Sequence, residues 1–154
     1  MAHAYIKRAT KEYKLLTEAC QTADCPNLIS VTLPDEANLL TWHVKLRGPD
    51  GTLYKGGLFT IVVELTADYP YQAPKLTFLT KMYHPSVATD GKLCEKLVED
   101  WAPTSTVKDA VDKVVGLFSA VIGHEVLNEA AAKQFHENPE AFKRQVELCV
   151  KAAK

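Results

Sequence analysis

The sequence predicts an α+β fold, with helices and strands segregated along the chain. Three observations carry that prediction. Apolar residues recur at three- and four-residue steps near the start and again beyond Ser105. Between these helical stretches lie four segments with strand signals, two of them with period-two alternation. The connections between those segments are too short for parallel crossovers, so the strands are expected to form an antiparallel meander.

The elements follow in order. Over residues 5–20, Ile6, Ala9, Tyr13, Leu16 and Cys20 form one apolar stripe, and Lys7, Arg8, Lys11 and Lys14 fall largely off it as a solvated cationic face. Leu28–Leu33 reads as a short strand bounded by Pro26 and Pro34. Leu40, Trp42, Val44 and Leu46 alternate with Thr41, His43 and Lys45, the pattern of a half-buried strand. Gly48-Pro49-Asp50-Gly51 is a turn. Phe59, Ile61, Val63 and Leu65 mark a third strand, and Leu76 and Phe78 a fourth. The prolines of Tyr69-Pro70-Tyr71-Gln72-Ala73-Pro74 stiffen the intervening loop.

No clean period appears from Thr80 to Thr104, but Tyr83, Trp101 and Pro103 argue that this loop is ordered. Ser105 is expected to cap a helix carrying Val107, Val111, Val114 and Phe118. Asn128 is placed to cap a short Ala-rich helix reaching Phe135. Asn138-Pro139 is a helix start, a cap followed by proline at the first helical position. The last helix carries Phe142, Val146, Cys149 and Val150 on one face.

Composition narrows the function classes. The chain has 154 residues, 18 Lys+Arg against 19 Asp+Glu and a formal net charge of -1. That length suits a single domain over residues 1–154 with a core of its own. The balanced charge disfavours a nucleic-acid partner. No apolar run approaches the roughly 20 residues of a membrane span. The first residues lack the pattern of a signal peptide, and Cys149 is too far from the end for a prenylation box. A cytoplasmic or nuclear location with reduced thiols and no membrane partner is therefore expected. Cys20 and Cys25 are not spaced as Cys-x-x-Cys and no His pair has zinc-finger spacing, so no metal is expected.

The chemistry-bearing stretch runs from Tyr83-His84-Pro85-Ser86 through Gly91-Lys92-Leu93-Cys94 to Trp101-Ala102-Pro103. By spacing alone, Cys94 is a cysteine in a long loop with a histidine ten residues earlier. An inert buried thiol and a Cys/His thiol hydrolase both satisfy that pattern.

These motifs resemble the ubiquitin-conjugating (E2) family. That family carries a Tyr-Pro-aromatic-x-Pro-Pro loop, then Tyr-His-Pro-Asn, then a Gly-x-Ile/Val-Cys segment and a Trp-x-Pro. Tyr69–Pro74, Tyr83–Ser86, Gly91–Cys94 and Trp101–Pro103 stand at the matching places. Leu39-Leu40-Thr41-Trp42 and Gly56-Gly57-Leu58-Phe59 also look like the family, and the resemblance spans nearly the whole chain.

The resemblance implies a UBC-like fold and an acyl-transferase activity. Cys94 would take ubiquitin from an E1 enzyme as a thioester, then pass it to a substrate lysine or an E3 cysteine. The E1 consumes the ATP, so no cofactor is expected on this chain. The expected partners are ubiquitin or a ubiquitin-like protein, E1, E3 and protein substrates, with the chain itself a monomer. Thioester exchange is nearly thermoneutral, and a free cysteine already holds a few per cent thiolate at neutral pH. Aminolysis is harder, because a lysine near pKa 10.4 is only about 0.04% neutral at pH 7, a cost of roughly 4.6 kcal/mol.

The site residues are carried over position by position. Glu125, with His124 beside it, matches an acidic residue that gates the site and would orient or deprotonate the incoming lysine. Tyr83, His84 and Pro85 would be loop scaffold. Lys7, Arg8, Lys11, Tyr71, Ala102, Pro103 and Thr104 match positions that contact E1 and E3. Two positions depart from the family pattern. Ser86 replaces an Asn assigned to oxyanion stabilisation or to bracing the loop, and Lys96 replaces an Asp two residues after the Cys. Both departures point to slow transfer to free lysine and to reliance on an E3. NEDD8 or another ubiquitin-like modifier is the in-class alternative cargo. SUMO is disfavoured, because no insertion lies between Cys94 and Trp101. A non-catalytic ubiquitin-binding variant would lack the Cys.

Overall fold

The computed structural model describes residues 4–20 and 26–153, so Cys25 lies outside the described residues. Helix α1 spans Ala4–Ala19. Strands β1 Leu28–Thr32, β2 Thr41–Arg47, β3 Leu58–Glu64 and β4 Lys75–Phe78 follow, and then helices α2 Val107–Ser119, α3 Glu129–Glu137 and α4 Pro139–Ala152. The strands form one antiparallel sheet in the order β1-β2-β3-β4, the expected meander.

Register follows from alternation. Trp42 faces Val63, Val44 faces Ile61 and Leu46 faces Phe59 across β2 and β3. Ile61 faces Phe78 and Val63 faces Leu76 across β3 and β4. Nearly all of these residues are sealed from solvent, while His43, Lys45 and Thr60 take the other face. Helix α2 lays Val111, Val114, Leu117 and Phe118 into the core. The rings of Phe118 and Phe59 lie 5.4 Å apart, and those of Phe118 and Tyr54 5.5 Å apart.

Helix caps explain the element starts. Asn128 Oδ1 accepts from Ala131 N at 3.1 Å, and Asn138 Oδ1 from Ala141 N at 3.2 Å. Ser105, however, is not the cap of α2. Thr106 takes that position, because Asp109 lies three residues on and completes a capping box: Thr106 Oγ1 accepts from Asp109 N, and Asp109 Oδ2 accepts from Thr106 N. Ser105 Oγ instead accepts from Ala102 N at 3.1 Å, closing the preceding loop.

Helix α1 departs from its predicted stripe in two places. Ile6 is exposed, while Ala9 and Leu16 are buried and Tyr13 packs edge-on against Trp42 at 5.4 Å. Glu12, in phase with that stripe, is buried at 6% exposure. Its carboxylate accepts from Arg8 Nε at 2.7 Å, from the Tyr69 hydroxyl and from Val107 N at 2.7 Å. One buried carboxylate thus joins α1, the loop after β3 and the first turn of α2. Burial first, and then this carboxylate, push the Tyr69 hydroxyl above its ordinary range, so it stays a donor.

The loop from residue 80 to 104 is ordered, as the aromatics suggested. Gly91 O accepts from Phe78 N at 2.8 Å, which lays residues 91–93 beside β4. Gly91 adopts a φ of 93°, and a Cβ there would meet Phe78 O at 2.1 Å, so only glycine allows this approach.

Candidate active site

Cys94 follows directly from that approach. It is half-buried, with extended backbone, immediately before a single 3-10 turn spanning Glu95–Val98. Its carbonyl accepts from Leu97 N at 3.0 Å. Two clefts share Cys94 as a wall. One, of about 210 Å³, is bounded by Ser86, Leu117, His124 and Glu125. The other, of about 420 Å³, is bounded by residues 72–77 and Lys92.

Ser86 brings the end of the Tyr83–Ser86 segment to the smaller cleft, and the rest of the segment supports it from behind. His84 is fully buried. Its Nε2 lies 2.7 Å from Leu117 O, and its Nδ1 accepts from Ser86 N at 2.9 Å. These partners specify the neutral ring with the proton on Nε2. Burial, with a smaller effect from His124, pulls the His84 pKa down to about 4. Both ring nitrogens are therefore engaged internally, and the ring is neutral at pH 7. Tyr83 donates to Gln134 Oε1 at 2.6 Å, and Tyr54 donates to Tyr83 O at 2.6 Å. Pro85 O accepts from both Leu127 N and Asn128 N, at 2.8 and 3.0 Å. That pair of hydrogen bonds pins the loop carrying Glu125 beside the Ser86 segment.

Glu125 itself is exposed, and so is Lys96. Their side chains meet at the rim of the cleft, Lys96 Nζ to Glu125 Oε1 at 3.0 Å. The hydrogen bond to Glu125 pushes the Lys96 amine above its ordinary range. Sequence reading singled out both residues but not their pairing, because 29 positions separate them. Gln134 and Leu117, which brace the Tyr83–Ser86 segment, carried no local signal at all.

The predicted contact surface divides into two kinds of residue. Tyr71 is 81% exposed, and Lys7, Lys11, Pro103 and Thr104 also face solvent, with Ala102 partly covered. Arg8 corrects the reading of a wholly solvated cationic face. Besides Glu12, it donates from Nη1 to Pro103 O at 3.0 Å and from Nη2 to Ser105 O at 2.6 Å. Its guanidinium also lies over the Tyr69 ring, 5.7 Å from the centroid. Trp101 Nε1 donates to Pro70 O at 2.7 Å, tying the two exposed loops together.

Among the described residues, no three His, Cys, Asp or Glu side chains come together as a metal site. Nor is any described helix long and apolar enough to cross a membrane.

Comparison with known proteins places this geometry. Residues 8–150 match the family model described as "Ubiquitin-conjugating enzyme". Ubiquitin-conjugating enzyme E2 14 of Arabidopsis thaliana is 32% identical, covering 79% of this chain and 81% of its own. Ubiquitin-conjugating enzyme E2 15 of Schizosaccharomyces pombe is 31% identical, with coverage of 82% and 84%. The ubiquitin-conjugating enzyme E2 of African swine fever virus is 33% identical, with coverage of 89% and 69%. Among solved structures, a Toxoplasma gondii ubiquitin conjugating enzyme E2 domain superposes with TM-score 0.82 at 25% identity, covering 96% of this chain and 100% of that one. Pex4p of H. polymorpha, solved with the soluble domain of Pex22p, shares the fold at TM-score 0.86 and 21% identity, with coverage of 97% and 98%. By its match to that family model and to these relatives, the chain belongs to the ubiquitin-conjugating enzyme (E2) family.

Proposed function

We propose that Cys94 accepts ubiquitin from an E1 as a thioester and passes it to a lysine amine or to an E3 cysteine. The observation that carries this reading is the position of the thiol. Cys94 is the wall common to two clefts, partly open to solvent, with an acid and a hydroxyl bounding one of them. An acyl chain can reach the sulfur from one side and an acceptor from the other.

The chemistry balances without a cofactor on this chain. In loading, the Cys94 thiol gives its proton to water, the thiolate sulfur attacks the E1 thioester carbonyl, the new C–S bond forms as the C–S bond to E1 breaks, and the E1 thiolate leaves and takes up a proton. The ATP was spent earlier by the E1. In discharge to lysine, the neutral amine nitrogen attacks the carbonyl, a C–N bond forms, the C–S bond to Cys94 breaks, and the proton that the nitrogen sheds as it becomes an amide goes through water to the departing Cys94 thiolate. The ammonium must shed a proton first, and Glu125 at the cleft rim is the group proposed to orient it and accept that proton. The Ser86 hydroxyl is proposed to donate to the developing oxyanion in place of an amide. His84 is proposed as scaffold, since both ring nitrogens are engaged. Lys7, Lys11, Tyr71, Pro103 and Thr104 are proposed as the face for E1 and E3, with Arg8 and Ala102 as its support. Cytoplasm or nucleus would keep the thiol reduced.

The deciding experiment is charging with E1, ATP and a panel of modifiers, read on non-reducing gels. A reductant-sensitive adduct is expected with wild type and absent with Cys94→Ala. NEDD8 in place of ubiquitin would change the cargo and keep the chemistry. No adduct with any modifier would end the reading.

A further inference from the structure

The carboxylate proposed to serve an incoming lysine is already serving one. Lys96 Nζ sits 3.0 Å from Glu125 Oε1, and both side chains bound the cleft that Cys94 lines. Five titratable groups share this cleft: Cys94, Lys96, Glu99, His124 and Glu125. We infer that Lys96 is a specificity-determining positioning residue that occupies Glu125 as an acceptor lysine would, and so biases discharge away from amines and toward thiols. The inference rests on the thioester reading given above.

An acceptor amine arrives as an ammonium and must give its proton to a base before its nitrogen can attack the thioester carbonyl. An acceptor thiol near pKa 8.5 already supplies thiolate and needs no carboxylate. An ion pair that engages Glu125 therefore handicaps one acceptor class and not the other. The Lys96 charge also repels an approaching ammonium, in the same direction. Glu125 in turn holds Lys96 as an ammonium. That protects the enzyme from its own lysine, because a charged Nζ cannot attack a thioester formed two residues away. The pair is solvent-exposed on both sides, with side-chain exposures of 66% and 50%. It is a weak, competable latch and not a lock.

The test uses full-length protein charged with ubiquitin, chased in parallel with free lysine and with 2-mercaptoethanol. The reading is the ratio of the two discharge rates. For Lys96→Gln the lysine-to-thiol ratio should rise about three- to fivefold, the size of bias an exposed ion pair exerts. Lys96→Arg keeps the cation and should keep the wild-type ratio. Adding Glu125→Gln to Lys96→Gln should cancel the rise. A ratio unchanged in Lys96→Gln overturns the proposal, and so does a rise that survives undiminished in the double variant. Failure of wild type to charge at all overturns the underlying reading, and it is visible before any chase begins.

Discussion

Two carboxylate–cation pairs in this molecule use the same chemistry for opposite ends. Glu12 and Arg8 meet at 2.7 Å beneath α1, with the carboxylate 7% exposed. Glu125 and Lys96 meet at 3.0 Å at the cleft rim, both open to water. Each oxygen of Glu12 is engaged, by Arg8 and Tyr69 on one side and Val107 N on the other. Among the described residues, the Glu125 carboxylate pairs with Lys96. In low dielectric an ion pair must be fully satisfied or it destabilises, so the first pair fixes the frame. In water a pair gains little and exchanges readily, so the second can yield to a competitor. Burial, with the full set of partners it demands, separates a strut from an exchangeable surface contact.

The comparison can be broken most sharply at Glu12. Glu12→Ala strands the Tyr69 hydroxyl and the Val107 N–H and leaves Arg8, still bonded to Pro103 O and Ser105 O, without its countercharge, and should cost about 3–5 kcal/mol of unfolding free energy. Chemical denaturation measures it, and a loss below about 1 kcal/mol would place this pair with the surface ones.

A smaller effect comes from pH. His84 titrates near 6.5 when unfolded and near 4 when buried. Between those values the unfolded chain binds the extra proton, so stability is complete above pH 6.5 and falls as pH drops toward 4. The full contribution is about 3 kcal/mol. Denaturation curves across this window should show the decline in wild type and a shallower one in His84→Asn. Equal slopes in the two proteins would remove the buried ring as the cause.

The smallest effect is expected at the rim. Lys96→Gln should leave the melting temperature unchanged, even as it alters acceptor choice. A clear drop in melting temperature would make the rim pair structural after all.

Much of this frame was legible in the residues because its causes are local. Alternation in Leu40–Leu46 depends only on neighbours two apart, and Asn128 and Asn138 cap what directly follows them. Ser105 failed as a cap by one position, since the choice between Ser105 and Thr106 turns on Asp109 rather than on the hydroxyl. Ile6 lies beside the buried face of α1, which runs through Tyr5, Ala9, Glu12 and Leu16. The Cys94 thiol was legible as a motif, and the resemblance placed Ser86, His124 and Glu125 near it, where they bound the same cleft; the partners of the rim and of the frame were not legible. Arg8, Glu12, Lys96 and Glu125 acquire their partners through tertiary placement, which no window of sequence contains.

The Trp101 bond to Pro70 has a consequence for recognition. It joins the loop bearing Tyr71 to the loop bearing Pro103, and Arg8 secures the second loop from below. A protein docking on Tyr71 and Pro103, as proposed for E1 and E3, would meet two loops already joined to each other. The ordering entropy that flexible loops would surrender on docking has been spent during folding, so shape, more than adaptation, selects what can bind there.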